Sequence, residues 1–224
     1  KISIKNKGLE KSLNQNKIIT QELHHRVKNN LEVISSLLNL QSRNISDPLA
    51  LSAIREGENR VHSIALMHQK LYQSNNISEV DFKPYAEELI SYLKDIFMHP
   101  HQNVTIKMTG EEIKLDIDTA VPLGLIINEL ISNSFKHGFK GKKEGNISIS
   151  MKHVDSSKQQ INLIVNDNGI GLPSGFNINK ATSLGLKLIN MLTEQLNGTL
   201  EITNKKGACF NIIIANTALR KQLD

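Results

Sequence analysis

Apolar residues recur at a three-four spacing along Leu9, Leu13, Asn16, Thr20, Leu23, Val27, Asn30, Ile34, Leu37 and Gln41. The spacing predicts one long helix with a coiled-coil-like seam, weakened by its polar members. Asp47-Pro48 supplies an N-cap and a first-turn proline for a second helix. Ile54, Val61, Ile64, Ala65, His68, Leu71 and Tyr72 mark its buried side. Two long helices joined by a short turn make an antiparallel hairpin, and two hairpins bury both seams as a four-helix bundle. The polar stretch Ser74–Ser78 reads as a linker. A further helix then carries Tyr85, Leu89, Ile90, Leu93, Ile96 and Phe97, and a strand follows at 104–108. Leu115-Asp116 leads through Pro122 into a strongly apolar helix, followed by strands at 147–153 and 161–166. A helix at 184–196 and strands at 199–203 and 210–214 complete the pattern. Helices with a mixed sheet give a two-layer α/β sandwich. The predicted class is α+β, with a helical linker at 1–20, a helical hairpin at 21–76 and the sandwich at 77–224.

Composition narrows the class without changing it. The chain has 224 residues, enough for one large domain or two small ones. One cysteine, Cys209, excludes an internal disulfide framework and fits a reducing compartment; its apolar neighbours make it a core residue. No run approaches the ~20 apolar residues of a membrane span, and no signal-peptide pattern opens the chain. A chain starting at Lys1 with a helical stretch reads as an excerpt, with any sensor or membrane segment upstream. The formal charge is +5. No basic stripe with interleaved aromatics accompanies it, so nucleic acid is not the expected partner. The densest run, Lys140-Gly141-Lys142-Lys143, reads as an exposed turn.

Two segments carry the chemistry of a nucleotide site. In Asn128–Gly138, Glu129 and Asn133 lie one helical turn apart, with Lys136 three residues on. A carboxylate, a carboxamide oxygen and an ammonium on one face suit a hard metal ion bound to phosphate oxygens. For this segment alone, a solvated helix face is the competing reading. Asp167-Asn168-Gly169-Ile170-Gly171 follows the strand-like run Ile161–Val165, and its glycines let backbone approach a ligand closely. An ordinary surface turn has the same composition. Gly138–Lys143 lacks P-loop glycine spacing, and Ser174 stands where a dinucleotide fold needs its third glycine.

In this order these segments, with Thr182-Ser183-Leu184-Gly185-Leu186 and Gly207-Ala208-Cys209-Phe210, resemble the N box and glycine boxes of the GHKL superfamily. That group contains gyrase-type ATPases, Hsp90, MutL and sensor histidine kinases. The resemblance implies a Bergerat fold binding ATP and Mg²⁺. It implies that Asp167 accepts the adenine amino group, with Gly169 and Gly171 beside the base. Asn133 is then the Mg²⁺ ligand, with Glu129 orienting metal or phosphate. Lys136 and His137 lie toward the phosphates, and Ser183, Leu184, Gly185 and Leu186 open a helix whose N–H groups face anions. Ala208 departs from the pattern, since many relatives have Thr or Ser there.

Upstream, Glu22-Leu23-His24-His25-Arg26-Val27-Lys28-Asn29-Asn30-Leu31 resembles a histidine kinase phosphoacceptor box. Arg26 follows the acceptor where the commonest kinases have an acidic residue. His-Arg-x-x-Asn, with Arg60–Ser74 on the second helix, is similar to the HisKA-type-2 group, relatives of the HWE kinases. That group's pattern places the acceptor immediately before Arg, so His25 is favoured over His24. His25 lies opposite the seam, flanked by Glu22 and Asn29, and Glu22 is expected to hold the second ring nitrogen. His68 is expected to pack in the bundle; His99 and His101 have no carboxylate nearby in sequence for a metal role. The resemblance spans about residues 20 to 215. It implies a sensor histidine kinase core that phosphorylates His25 and passes the group to a response-regulator receiver aspartate. It also implies a homodimer through the hairpin, an upstream sensor, and a cytoplasmic location for this portion. The alternatives are a nucleotide-gated dimerisation scaffold without phosphotransfer, and an ATPase acting on DNA or clients, a class that lacks a histidine hairpin.

Overall fold

The computed structural model describes residues 2–73, 79–98, 100–157, 159–204 and 206–216. The linker stretch Ser74–Ser78, His99 and the side chains of Leu9, Leu13, Asn16, His24, Leu71 and Tyr72 lie outside the described residues. The chain divides into two units, Lys1–Val80 and Asp81–Asp224.

In the first unit, α1 (Ile2–Ser42) and α2 (Pro48–Gln73) pack as a hairpin. Asp47 starts α2 as the sequence predicts: its carboxylate accepts the Leu49 N–H at 3.0 Å, and Pro48 takes the first helical position. The face of α1 that becomes half-buried is Leu31, Ser35, Leu38 and Ser42. The predicted seam lies one position round the helix, about 100° away. Leu23, Ile34 and Leu37 on that seam remain 56%, 44% and 55% exposed. The hairpin of one chain therefore closes on a neighbouring stripe and leaves Leu23, Ile34 and Leu37 open, while Thr20 and Val27 on the seam are half-buried. On α2, Ala65, Leu66 and Met67 are buried, while Ile54, Val61, Ile64 and His68 are half-buried.

At the boundary, β1 (Val80–Asp81) leads into α3 (Phe82–Phe97) of the second unit. There follow β2 (Asn103–Gly110), β3 (Lys114–Leu115), α4 (Ile117–Asn133), β4 (Glu144–His153) and β5 (Gln160–Asp167). A 3-10 turn at Ile178–Lys180, α5 (Leu184–Gln195), β6 (Thr199–Thr203) and β7 (Cys209–Ala215) complete it. The five-stranded sheet has the order β2-β4-β5-β7-β6. Only the β2–β4 pair is parallel; the other three pairs are antiparallel. Period-2 alternation gives each strand one core face. On β5, Ile161, Leu163, Val165 and Asp167 are buried, whereas Asn162, Ile164 and Asn166 are half-buried on the other face. The α+β class and the two-layer sandwich are those predicted from the pattern.

The apolar helix α4 lies between α3 and α5. It is buried nearly all round, through Leu123, Ile126, Ile127, Leu130 and Ile131 among others, as its uniform hydrophobicity requires. Gly124 makes room for the Tyr85 hydroxyl, which burial pushes well above the ordinary phenol range. The helix starts before Pro122, at Ile117, so the proline stands in its second turn rather than at its mouth. The α geometry ends at Asn133 and a π turn, Ser134–Gly138, replaces it. The Phe139 N–H accordingly reaches back five residues to the Ser134 carbonyl at 2.8 Å. Asp116 sets the N-terminus: its Oδ1 accepts the Thr119 N–H at 2.9 Å in a buried position. Asp116→Ala removes the side-chain acceptor and should destabilise the sandwich by about 1 kcal/mol, whereas Asp116→Asn keeps most of the cap. Thermal melting of both variants checks this; a shift of ~2–4 °C is expected for the alanine variant.

Candidate functional site

Asp167 is the last residue of β5, and the strand alternation turns its side chain to the helical face, where it is 6% exposed. A buried carboxylate needs donors, and three segments supply them. Oδ1 accepts the Gly169 N–H at 2.8 Å and the Ala208 N–H at 3.3 Å. Oδ2 accepts the Ser134 hydroxyl at 2.8 Å. The Asp167 N–H in turn donates to the Ala208 carbonyl at 3.0 Å. Closure this tight excludes side chains. A Cβ on Gly169 would lie 2.6 Å from the Gly138 Cα, and Gly207 combines φ +128 with direct packing on the Asp167 carbonyl. The Ile170 N–H bonds the Gly138 carbonyl at 2.9 Å, which ties the turn after β5 to the π turn.

Above this corner opens a cavity of about 750 Å³. Leu130, Val165, Ile170, Leu186 and Phe210 give it apolar walls, and Asn133, His137 and Asp167 supply polar groups. The volume and the few convergent polar groups are those of a small-molecule site. Of the residues singled out from the sequence, Asn133, His137, Asp167, Gly171, Ser183 and Leu186 line it. Gly169 packs beneath it on Gly138, and Leu184 points outward at 64% exposure. Glu129 is buried, accepts the Asn128 amide at 3.3 Å, and abuts Gly185 in the first turn of α5. Its carboxylate thus fills the space beside Gly185 that a side chain there would need. Lys136 also departs from the expected face. The π turn has more residues per turn than an α-helix, so positions after Asn133 fall out of the four-residue register. The Lys136 ammonium lies 5.5 Å from the centre of the Phe97 ring, which stacks on Phe135.

The sequence reading missed Ser134 and Asn204 at this site. Ser134 stood beside Asn133 as one more small polar residue, and only the π turn aims it at Asp167. Among the described residues no group of three or more His, Cys, Asp or Glu can hold a metal ion. The Asn133 amide oxygen on the cavity wall is of a kind that fits a divalent ion bringing oxygen ligands with it.

In the first unit His25 is exposed on α1, and the Asn29 amide nitrogen lies 3.2 Å from its Nδ1. Glu22 was expected on the ring; instead its Oε1 accepts the Arg26 Nε–H at 2.7 Å. Arg26 stands four residues from Glu22, the spacing at which helical ion pairs form. The ring nitrogen contact therefore comes from Asn29, one turn toward the C-terminus.

An Asp-Asn-Gly corner at a strand end, an asparagine-bearing helix above it and a mixed sheet below define an ATP-binding sandwich of the GHKL kind. A model for the histidine kinase-, DNA gyrase B-, and HSP90-like ATPases matches residues 118–218, and the histidine kinase model HisKA_2 matches residues 22–97. The chain belongs to the histidine kinases, joining a HisKA_2 region to such an ATPase-type domain. Sensor histidine kinase PdtaS of Mycobacterium tuberculosis is 32% identical over 196 residues, 87% of this chain and 38% of that protein. PdtaS of Mycolicibacterium smegmatis is 36% identical over 182 residues, 80% of this chain and 36% of the relative. The chain thus spans well under half the length of these relatives. The histidine kinase domain of the Erythrobacter litoralis EL346 blue-light activated histidine kinase aligns with a TM-score of 0.66 at 22% identity. It covers 90% of this chain and 93% of that one, and at that identity the likeness speaks for the fold. Among the described residues no helix is long and apolar enough to cross a membrane.

Two glycines of the site should respond differently to the same substitution. Gly169→Ala drives a methyl into the Gly138 backbone, which cannot turn aside, and should lower stability by about 1–3 kcal/mol. Gly185→Ala meets only the end of the Glu129 side chain, which can rotate away. Its melting temperature should stay within about 2 °C of wild type, and chemical denaturation of the two variants side by side checks the contrast.

Proposed function

We propose that this chain is an ATP-dependent protein histidine kinase core that phosphorylates its own His25 and passes the phosphoryl group to a receiver-domain aspartate. The observation that carries the reading is the Asp167 carboxylate at the floor of an apolar cavity, immobilised by three donors. An ionised carboxylate accepts hydrogen bonds only, so it suits the 6-amino group of adenine and repels the 6-oxo group of guanine. The walls around Val165, Ile170 and Phe210 hold the flat base, and Asn133 and His137 face the phosphates. Asn133 would offer an oxygen to a Mg²⁺ ion brought in with those phosphates, whose charge such an ion would offset, and Glu129 would act through its place beside the first turn of α5.

His25 supplies the acceptor. A ring nitrogen lone pair attacks the γ-phosphorus, the N–P bond forms, the bond to the β,γ-bridging oxygen breaks, and ADP leaves. The Asn29 amide contacts Nδ1 of the same ring. The Glu22–Arg26 pair beside it keeps a guanidinium on the surface that the incoming phosphates approach. The resulting phosphoramidate then passes its group to a carboxylate of the partner. The exposed Leu23, Ile34 and Leu37 support a homodimer through α1, because a second hairpin buries them. On this reading, with ATP as donor and a receiver domain as acceptor, this portion works in the cytoplasm, downstream of a sensor region.

Incubation with γ-labelled ATP tests the proposal. Acid-labile, alkali-stable label is expected on the wild-type chain and none on His25→Gln, which should still bind nucleotide. Asp167→Asn should fold, yet bind ATP roughly ten- to a hundredfold more weakly, the loss of one charge-assisted bond. Label persisting on His25→Gln refutes the acceptor. Nucleotide binding without any labelling favours a nucleotide-gated scaffold, and release of free phosphate an ATPase.

A further inference from the structure

The turn between β6 and β7 bears an exposed asparagine bonded twice to a single residue at the cavity rim. The Asn204 Oδ1 accepts the Leu172 N–H at 3.0 Å, and its Nδ2 donates to the Leu172 carbonyl at 2.6 Å. The side-chain amide thereby reproduces the two-bond exchange of an antiparallel β pair. Gly171 is fitted to the same group: its φ is +75, and an added Cβ would overlap the Asn204 Oδ1. Gly171, Leu172 and Pro173 all line the cavity.

On one side of this contact the rim is pinned by the Ile170–Gly138 bond. On the other, the backbone bonds seen among the described residues are local. Phe176 bonds Pro173, Lys180 bonds Asn177 and Ala181 bonds Ile178, before α5 begins. Among the described residues Asn204 is thus the last tie from the body of the sandwich to the rim before the cavity-lining stretch 173–183.

We propose that Asn204 is a positioning residue for the nucleotide. It touches no substrate atom; it holds Gly171–Pro173 in place, so the wall beside the base is formed before the ligand arrives. A wall already ordered spares the bound state the entropy of ordering it, and that difference appears as affinity. The inference rests on the nucleotide reading of the cavity and adds a residue from outside it.

Asn204→Ala in the whole chain tests it, with Mg-ATP as the probe. Losing both bonds should weaken the Kd, read by calorimetry, and raise the KM about tenfold, with kcat at saturating ATP within about twofold of wild type. A structural role alone would lower the melting temperature without that split. Unchanged Kd in the folded variant, or a fall in kcat at constant KM, overturns the proposal. Amide exchange on the wild-type chain gives a second measure that needs no variant. The Leu172 N–H should exchange slowly without nucleotide, while the amides of 174–177 exchange fast; equal rates also overturn it. Failure of the wild-type chain to bind Mg-ATP removes the nucleotide reading itself. Binding by wild type, weak binding by Asp167→Asn and unchanged binding by Asn204→Ala removes only the role of Asn204.

Discussion

The sandwich depends on how one buried carboxylate is neutralised. Asp167 is 6% exposed, and an unpaired charge there would cost several kcal/mol. The donors come from the end of α4, the turn after β5 and the turn before β7, three segments that meet only in the folded chain. The turns after β5 and before β7 each bring a glycine where backbone must close on backbone: Gly169 and Gly207. The same bonds that neutralise the charge also fix its direction, so stability and ligand recognition are one arrangement. That is why the polar corner can sit beneath walls as apolar as those around Val165 and Phe210.

Local order was readable from the sequence, and long-range pairing was not. Period and capping residues identified both long helices, the apolar α4 and the strands of the sheet. Asp167, Asn133 and Gly171 were found because their residue types recur at spacings tied to a known chemistry. Ser134 bonds a residue 33 positions away and Asn204 one 32 positions away. Nothing within a helix or turn window announces such a partner. The π turn is a different case: a register change inside an apolar run leaves the hydrophobic pattern intact and moves the polar residues. It carries Lys136 to Phe97 and delivers Ser134 to Asp167. The seam of α1 was read at the correct period; the stripe beside it, Leu31, Ser35, Leu38 and Ser42, which faces α2, has the same period and too few apolar members to stand out.

The two units handle charge in opposite ways. In the sandwich the ionised group is buried and surrounded by fixed dipoles, so salt screens it little. Around His25 the charges lie at the helix surface, with Lys28 half-buried: Glu22 pairs with Arg26 and Lys28 with Glu32. Such pairs contribute little to stability. They keep the acceptor in a mobile, solvated field of both signs, which suits a side chain that must receive a highly charged group and release it again.

The tie between Asn204 and Leu172 also divides the chain into parts with different freedom to change length. Beyond Pro173 the residues up to Ser183 bond among themselves and can gain or lose members without disturbing the sheet. Asn204 and Gly207-Ala208, at the two ends of the turn before β7, have no such latitude. One end clasps the rim, and the other closes on both backbone groups of Asp167. An added residue would break one hold or the other. Over generations the loop across the cavity is therefore the place where insertions accumulate, and a foreign segment grafted there has two rigid posts to join. The short turn opposite stays at its present length.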